Sequence, residues 1–249
     1  MKAVLVIGGT DSSGGAGLVQ DGRVLDAFGC AARLVVTAVT AQGRGGVTAV
    51  QAMPRDIVLA QIAAVASLGP VAAIKIGLIP DTATGALLAE ALPRLWPQAP
   101  IILDPVLSAS AGGALRGGAD FGALWSLAAL VTPNLPEAAA LLAAPEAPNR
   151  RAMTAHAKAL RARGAKAVLL KGGHLLGESA ADLLLTEGSG RWFSGPRLPG
   201  QRRGTGCALA TAIAAGLAQG RDLPGAIVAA RRWLRTTWPK AAVPAGLAA

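Results

Sequence analysis

Short aliphatic runs alternate with longer alanine- and leucine-rich stretches of helical period along most of this chain. That alternation leaves few folds open beyond a largely parallel sheet covered by helices. Candidate strands occupy residues 3–7, 34–39, 72–76, 101–103, 130–132 and 167–170. Candidate helices occupy 17–28, 55–67, 82–95, 121–128, 136–143 and 153–163, and two more, 205–219 and 224–234, close the pattern. Pro54, Asp81 and Pro136 stand at or near helix starts, where a missing N–H or a capping carboxylate is tolerated. After Lys171 the segments shorten, with turns at Gly177 and at 187–190, which reads as strand extensions or a hairpin. The expected fold is α/β, a three-layer αβα sandwich with a mostly parallel central sheet. Residues 1–238 read as one domain, and 239–249 as a frayed tail.

Composition narrows the function classes. The chain has 249 residues, enough for one large α/β domain or two small ones. Hydrophobic residues make up 52% and charged residues 15%, so the chain must bury a core rather than stay disordered. No apolar run reaches the roughly 18 residues of a membrane span, and the start is too short for a signal-peptide core. A cytoplasmic protein with no membrane partner is expected. Cys30 and Cys207 lie far apart in no C-x-x-C pattern, which excludes a disulfide scaffold and a thiolate zinc site. His156 and His174 are too scattered for a histidine metal cluster. The net charge of +10 invites a nucleic-acid reading. Against it, the basic residues fall in dispersed pairs, tyrosine is absent and the three phenylalanines are isolated, leaving no platform for stacking bases. No nucleic-acid partner is expected; the charge would equally favour small phosphate esters.

Two glycine loops lead into helices. The first strand runs into Gly8-Gly9-Thr10-Asp11-Ser12-Ser13-Gly14-Gly15-Ala16-Gly17. Its spacing fits neither G-x-G-x-x-G nor a P-loop, so alone it marks a tight connection with a ligand nearby. In Arg203-Gly204-Thr205-Gly206-Cys207, backbone N–H groups can converge at the positive end of a helix dipole, a place suited to a phosphoryl group in flight. Cys207 in the first helical turn should have a lowered thiol pKa and could serve as base or hydrogen-bond partner for a substrate hydroxyl; the bland alternative is a cysteine packed under the helix. Asp104 and Glu137 follow apolar strands and could hold Mg²⁺ against nucleotide phosphates, or merely fix a turn and cap a helix. Lys171 ends a buried strand, an unusual place for a surface lysine and a good one for neutralising a triphosphate.

Four segments together, 8–17 (GGTDSSGGAG), 132–138 (TPNLPEA), 171–174 (KGGH) and 204–207 (GTGC), resemble the hydroxymethylpyrimidine/phosphomethylpyrimidine kinases of thiamine biosynthesis, within the ribokinase-like superfamily. The resemblance runs from about Val4 to Leu234. It implies a ribokinase-like fold without a separate lid domain, usually a homodimer, that uses ATP and Mg²⁺ to phosphorylate an aminopyrimidine alcohol and then its monophosphate. It implies substrate contacts from Gln42, Asp21, Ala16, Leu78 and Val106, and nucleotide contacts from Asn134, Thr205 and Lys171. Asp104 and Glu137 would serve the metal. Gly204 and Gly206 would form the anion hole beside Lys171, with Cys207 as the catalytic cysteine.

The chain departs from that pattern at several points. Arg203 replaces a usual histidine, Gly43 a common asparagine and Leu78 a frequent methionine, while Gln20 and Gly22 flank Asp21. Arg203 could favour a substrate already carrying phosphate. The rival readings are a pyridoxal kinase of the same superfamily, which shares the G-T-G start, and a non-catalytic pyrimidine-binding regulator. Gln42 with Asp21 favours the aminopyrimidine, and the presence of Cys207, Lys171 and Glu137 argues against a regulator.

Overall fold

A computed structural model describes residues 1–43, 45–107, 121–173, 175, 177–200 and 203–238. The expected tail at 239–249 and His174 of the K-G-G-H segment lie outside the described residues.

The chain begins with β1 (Ala3–Asp11), α1 (Gly17–Ala27), β2 (Ala31–Gly43), β3 (Gly46–Ala52) and α2 (Arg55–Ser67). It continues through β4 (Ala73–Ile76), α3 (Thr82–Leu95), β5 (Ile101–Leu103), α4 (Gly122–Leu127), β6 (Leu130–Val131), α5 (Leu135–Leu142) and α6 (Arg150–Ala162). The last elements are β7 (Val168–Leu170), β8 (Ser179–Leu185), β9 (Gly190–Pro196), α7 (Thr205–Ala218) and α8 (Leu223–Thr237). The named strands form one sheet in the order β3-β2-β1-β4-β5-β6-β7-β8-β9. The block from β2 to β7 is parallel, while β3, β8 and β9 pair antiparallel at the two edges.

Side-chain alternation builds the two cores. On β1, Leu5 and Ile7 face α2, α3 and the helices up to α6, joining Ile62, Leu88 and Leu160. Val4 and Val6 face the opposite way, toward α1, α7 and α8, with Leu25, Ile213 and Ile227. These two apolar faces give the three-layer arrangement expected from the sequence. Helix α7 is buried nearly all round, which its alanines and glycines permit because they let the sheet, α1 and α8 approach closely.

The expected hairpin after Lys171 is β8–β9. Strand β3 was not among the expected strands. Strand β2 is longer than the 34–39 expected, because pairing with β1 begins at Ala31 and pairing with β3 carries it to Gly43. Helix α6 starts at Arg150 rather than 153, where Asn149 accepts from the Ala152 N–H and caps it.

Candidate active site

The parallel strands all end on one side of the sheet, where an open α/β fold gathers ligand-binding groups. There a cleft of about 1070 Å³ is lined by every site residue expected from the sequence. Ala16 and Asp21 come from the start of α1, Gln42 from the end of β2, and Leu78 and Val106 from just beyond β4 and β5. Asp104, Asn134, Glu137 and Lys171 follow β5, β6 and β7, and Gly204 to Cys207 open α7.

The turn into α7 is built by glycine. Gly204 is the N-cap with φ of 70°, and a Cβ there would fall on the Gly15 carbonyl oxygen. This close approach docks the second glycine loop on the first. Among the described residues no side chain caps the helix, and the N–H groups of Thr205, Gly206 and Cys207 have no carbonyl to reach within it. Those donors point their partial positive charge toward an incoming anion.

Beside them lies a buried charged cluster. Lys171 Nζ is 3.0 Å from Asp104 Oδ1, which also accepts from the Thr132 hydroxyl at 2.9 Å. A Cβ on Gly206 would stand 3.1 Å from Lys171 Nζ and 3.8 Å from Asp104 Oδ2, so the pair adjoins the helix start. Burial raises the Asp104 carboxyl, but Lys171 and then Lys75 outweigh it and hold it below its ordinary value. Burial pushes the Glu137 carboxyl up to about 7, and Asp104 adds to that rise against the pull of Lys171.

Asn134 and Glu137 form a reciprocal capping box on α5. The Asn134 side chain accepts from the Glu137 N–H at 2.8 Å, and Glu137 Oε2 accepts from the Asn134 N–H at 2.8 Å. The bland reading of Glu137 as a helix cap is therefore correct for one oxygen. Asp104 and Glu137 each commit one carboxylate oxygen to the protein. Among the described residues no group of three or more His, Cys, Asp or Glu is placed to hold a metal ion. Two carboxylates suit a Mg²⁺ that keeps several waters and takes its other oxygens from phosphate.

The structure overturns one expectation about Cys207. Its thiol is not lowered: burial pushes it up to about 11, with Asp21 and Asp104 adding to the rise. Lys75 and the Gly17 N–H pull the other way and do not compensate. Cys207 is half-buried on the cleft wall.

Asp21 is fully buried beneath the cleft, and both of its oxygens are taken. Oδ2 lies 2.9 Å from Lys75 Nζ, and Oδ1 accepts from the Thr211 hydroxyl at 2.7 Å. Sequence reasoning missed Lys75, whose signal was a lone lysine in the apolar strand Ala73–Ile76. Burial disfavours its charge, but Asp21 outweighs that penalty and keeps it an ammonium. Gly77 makes room for it, since a Cβ there would come within 2.8 Å of Nζ. Arg203 is likewise occupied, bonded to Asp11 and to the Gly43 carbonyl, and does not stand as an open phosphate receptor. The cleft also continues past Asp182, Arg231, Arg235 and Trp238, none of which the sequence suggested.

The family model described as phosphomethylpyrimidine kinase matches residues 11–246. The hydroxymethylpyrimidine/phosphomethylpyrimidine kinase of Rhizobium meliloti is 42% identical over 243 residues, spanning 92% of this chain and 88% of its own length. The enzyme of that name from Escherichia coli is 37% identical over 242 residues, 95% and 91% of the two chains. Among solved structures, phosphomethylpyrimidine kinase from Clostridium difficile is similar with a TM-score of 0.82 at 30% identity, covering 96% of this chain and all of that one. The Bacillus subtilis pyridoxal kinase, solved as an ADP complex, is similar with a TM-score of 0.85 at 27% identity, over 94% and 91% of the two chains.

Proposed function

Because the chain belongs to the phosphomethylpyrimidine kinase family, we propose that it transfers the γ-phosphoryl group of ATP to the hydroxymethyl oxygen of hydroxymethylpyrimidine, and then to the resulting monophosphate. The observation that carries this reading is the meeting, in one cleft, of the open N-terminus of α7, the Lys171–Asp104 pair and Gln42. The first two supply donors and a cation for a phosphate; Gln42 supplies both a donor and an acceptor for an aminopyrimidine edge.

In the proposed reaction the acceptor oxygen attacks the γ-phosphorus in line while the bond to the β-phosphate oxygen breaks and ADP leaves. Charge on the transferring group falls to the Thr205–Cys207 amides and Lys171. A bound Mg²⁺, held by Asp104 and Glu137, would supply further charge neutralisation at the phosphates. Cys207, protonated at neutral pH, orients the acceptor hydroxyl. Because the transition state is loose, the nucleophile's proton leaves late and passes to an oxygen of the transferred phosphoryl group, so no separate base is required. Ala16, Leu78 and Val106 give the ring an apolar wall. Asp21 acts from below by fixing Lys75. Asn134 and Thr205 take the nucleotide side.

The similarity to pyridoxal kinases makes pyridoxal the competing acceptor. The deciding assay incubates purified protein with ATP, Mg²⁺ and each acceptor in turn and resolves products by mass. Pyrimidine mono- and diphosphate are expected; turnover of pyridoxal alone would move the assignment to the rival.

A further inference from the structure

Arg203 reaches across the molecule to two loops on the acceptor side of the cleft. Its NH1 donates to the Gly43 carbonyl at 3.0 Å, at the end of β2, and its NH2 lies 3.2 Å from Asp11 Oδ2, at the end of β1. Those loops are themselves cross-linked. Asp11 Oδ1 accepts from the Ser13 N–H and hydroxyl at 2.9 and 2.8 Å. The Ser12 hydroxyl donates to the Gln42 carbonyl and accepts from the Gln42 N–H, both at 2.9 Å.

Arg203 itself precedes Gly204, the N-cap of α7, so one side chain ties the Gln42-bearing strand end, the first glycine loop and the phosphate-facing helix into a single unit. The pairing is not a loose surface contact. The Asp11 side chain is 3% exposed and that of Arg203 26%, and Arg203 Nε is buried with no hydrogen-bond partner among the described residues. Two contacts at fixed separation are what a planar guanidinium provides and a lysine cannot.

We propose that Arg203 is a positioning residue that clasps the acceptor-side loops to the start of α7, and so fixes where the acceptor oxygen stands relative to the phosphoryl group. The kinetic part rests on the kinase reading above; the clasp does not. Misplacement of reacting groups by about 1 Å can cost on the order of a hundredfold in rate, so a loosened clasp should lower turnover without touching nucleotide binding.

Two measurements test this. The first is hydrogen exchange on the ligand-free protein. Arg203→Met should speed exchange in peptides covering 8–17 and 38–43 and leave the interior of α7 protected. The second compares kcat and acceptor KM with ADP affinity for Arg203→Met, Arg203→Lys, Asp11→Asn and the double variant Arg203→Met/Asp11→Asn. The expected result is a loss in acceptor kcat/KM of at least about tenfold in Arg203→Met. Arg203→Lys should be intermediate, ADP affinity should stay within about twofold of wild type, and the double variant should be little worse than Arg203→Met. Unchanged exchange in both loops, additive losses, or a parallel loss of ADP affinity would overturn the proposal. If Arg203→Met does not fold, the exchange and kinetics of Arg203→Lys and Asp11→Asn decide between the same outcomes. A wild-type protein inactive on the pyrimidine would sink the kinase reading while leaving the exchange result to judge the clasp.

Discussion

At the scale of single residues, the surroundings of Cys207 decide what its thiol can do: burial holds it above its ordinary value, and the carboxylates of Asp21 and Asp104, which only the fold brings near it, add to that rise. Replacing Cys207 with alanine should cut kcat at least about tenfold while leaving ADP affinity nearly intact. Equal turnover in steady-state assays would reduce the thiol to packing. Glu137 gives a pH prediction. Its carboxyl is raised from 4.5 to about 7, so between those values the folded protein holds a proton that the unfolded chain has released. The contribution of Glu137 to stability then falls as pH rises through that window, by on the order of 3 kcal/mol in full. In denaturant titrations of the protein free of metal and nucleotide, Glu137→Gln, which can keep the capping contact, should flatten this decline. An unchanged slope would mean that Glu137 is ionised throughout.

At the scale of elements, the alternation of apolar runs located the parallel strands and most helices, because buried strands and amphipathic helices leave separate periods in the sequence. Strand β3 escaped because it is an exposed edge, where alternation is diluted by alanine, threonine and glutamine that water tolerates. The start of α5 shows an element serving fold and site together. Its capping box fixes Glu137 in the cleft, so Asn134→Ala should cost about 1 kcal/mol of stability and also weaken affinity for magnesium nucleotide. Calorimetry would separate the two effects. A stability loss with unaltered affinity would confine Asn134 to capping.

At the scale of the whole molecule, the order of strands explains why distant segments share one cleft. The parallel strands β1, β2, β4, β5, β6 and β7 all end on the same side of the sheet, and α7, from the far end of the sequence, packs on one face against β1, β4 and β5 with its first turn at those ends. The four sequence segments that resembled one family thus meet in space. What no segment disclosed were the long-range pairs around the cleft, Lys75 with Asp21 and Arg203 with Asp11, since pairing across 54 and 192 residues leaves no local trace. We further infer that two copies associate, as the resemblance implies. Light scattering should give twice the 24.8 kDa chain mass, and a monomer at working concentration would contradict it. Whether the start of α7 receives the phosphoryl group opposite Gln42 is decided by a crystal structure with ADP, Mg²⁺, aluminium fluoride and hydroxymethylpyrimidine. The fluoride should lie within hydrogen-bond reach of the Thr205–Cys207 amides and Lys171, with the ring against Gln42; a fluoride bound away from that turn, or a ring elsewhere in the cleft, would refute the proposed reaction geometry.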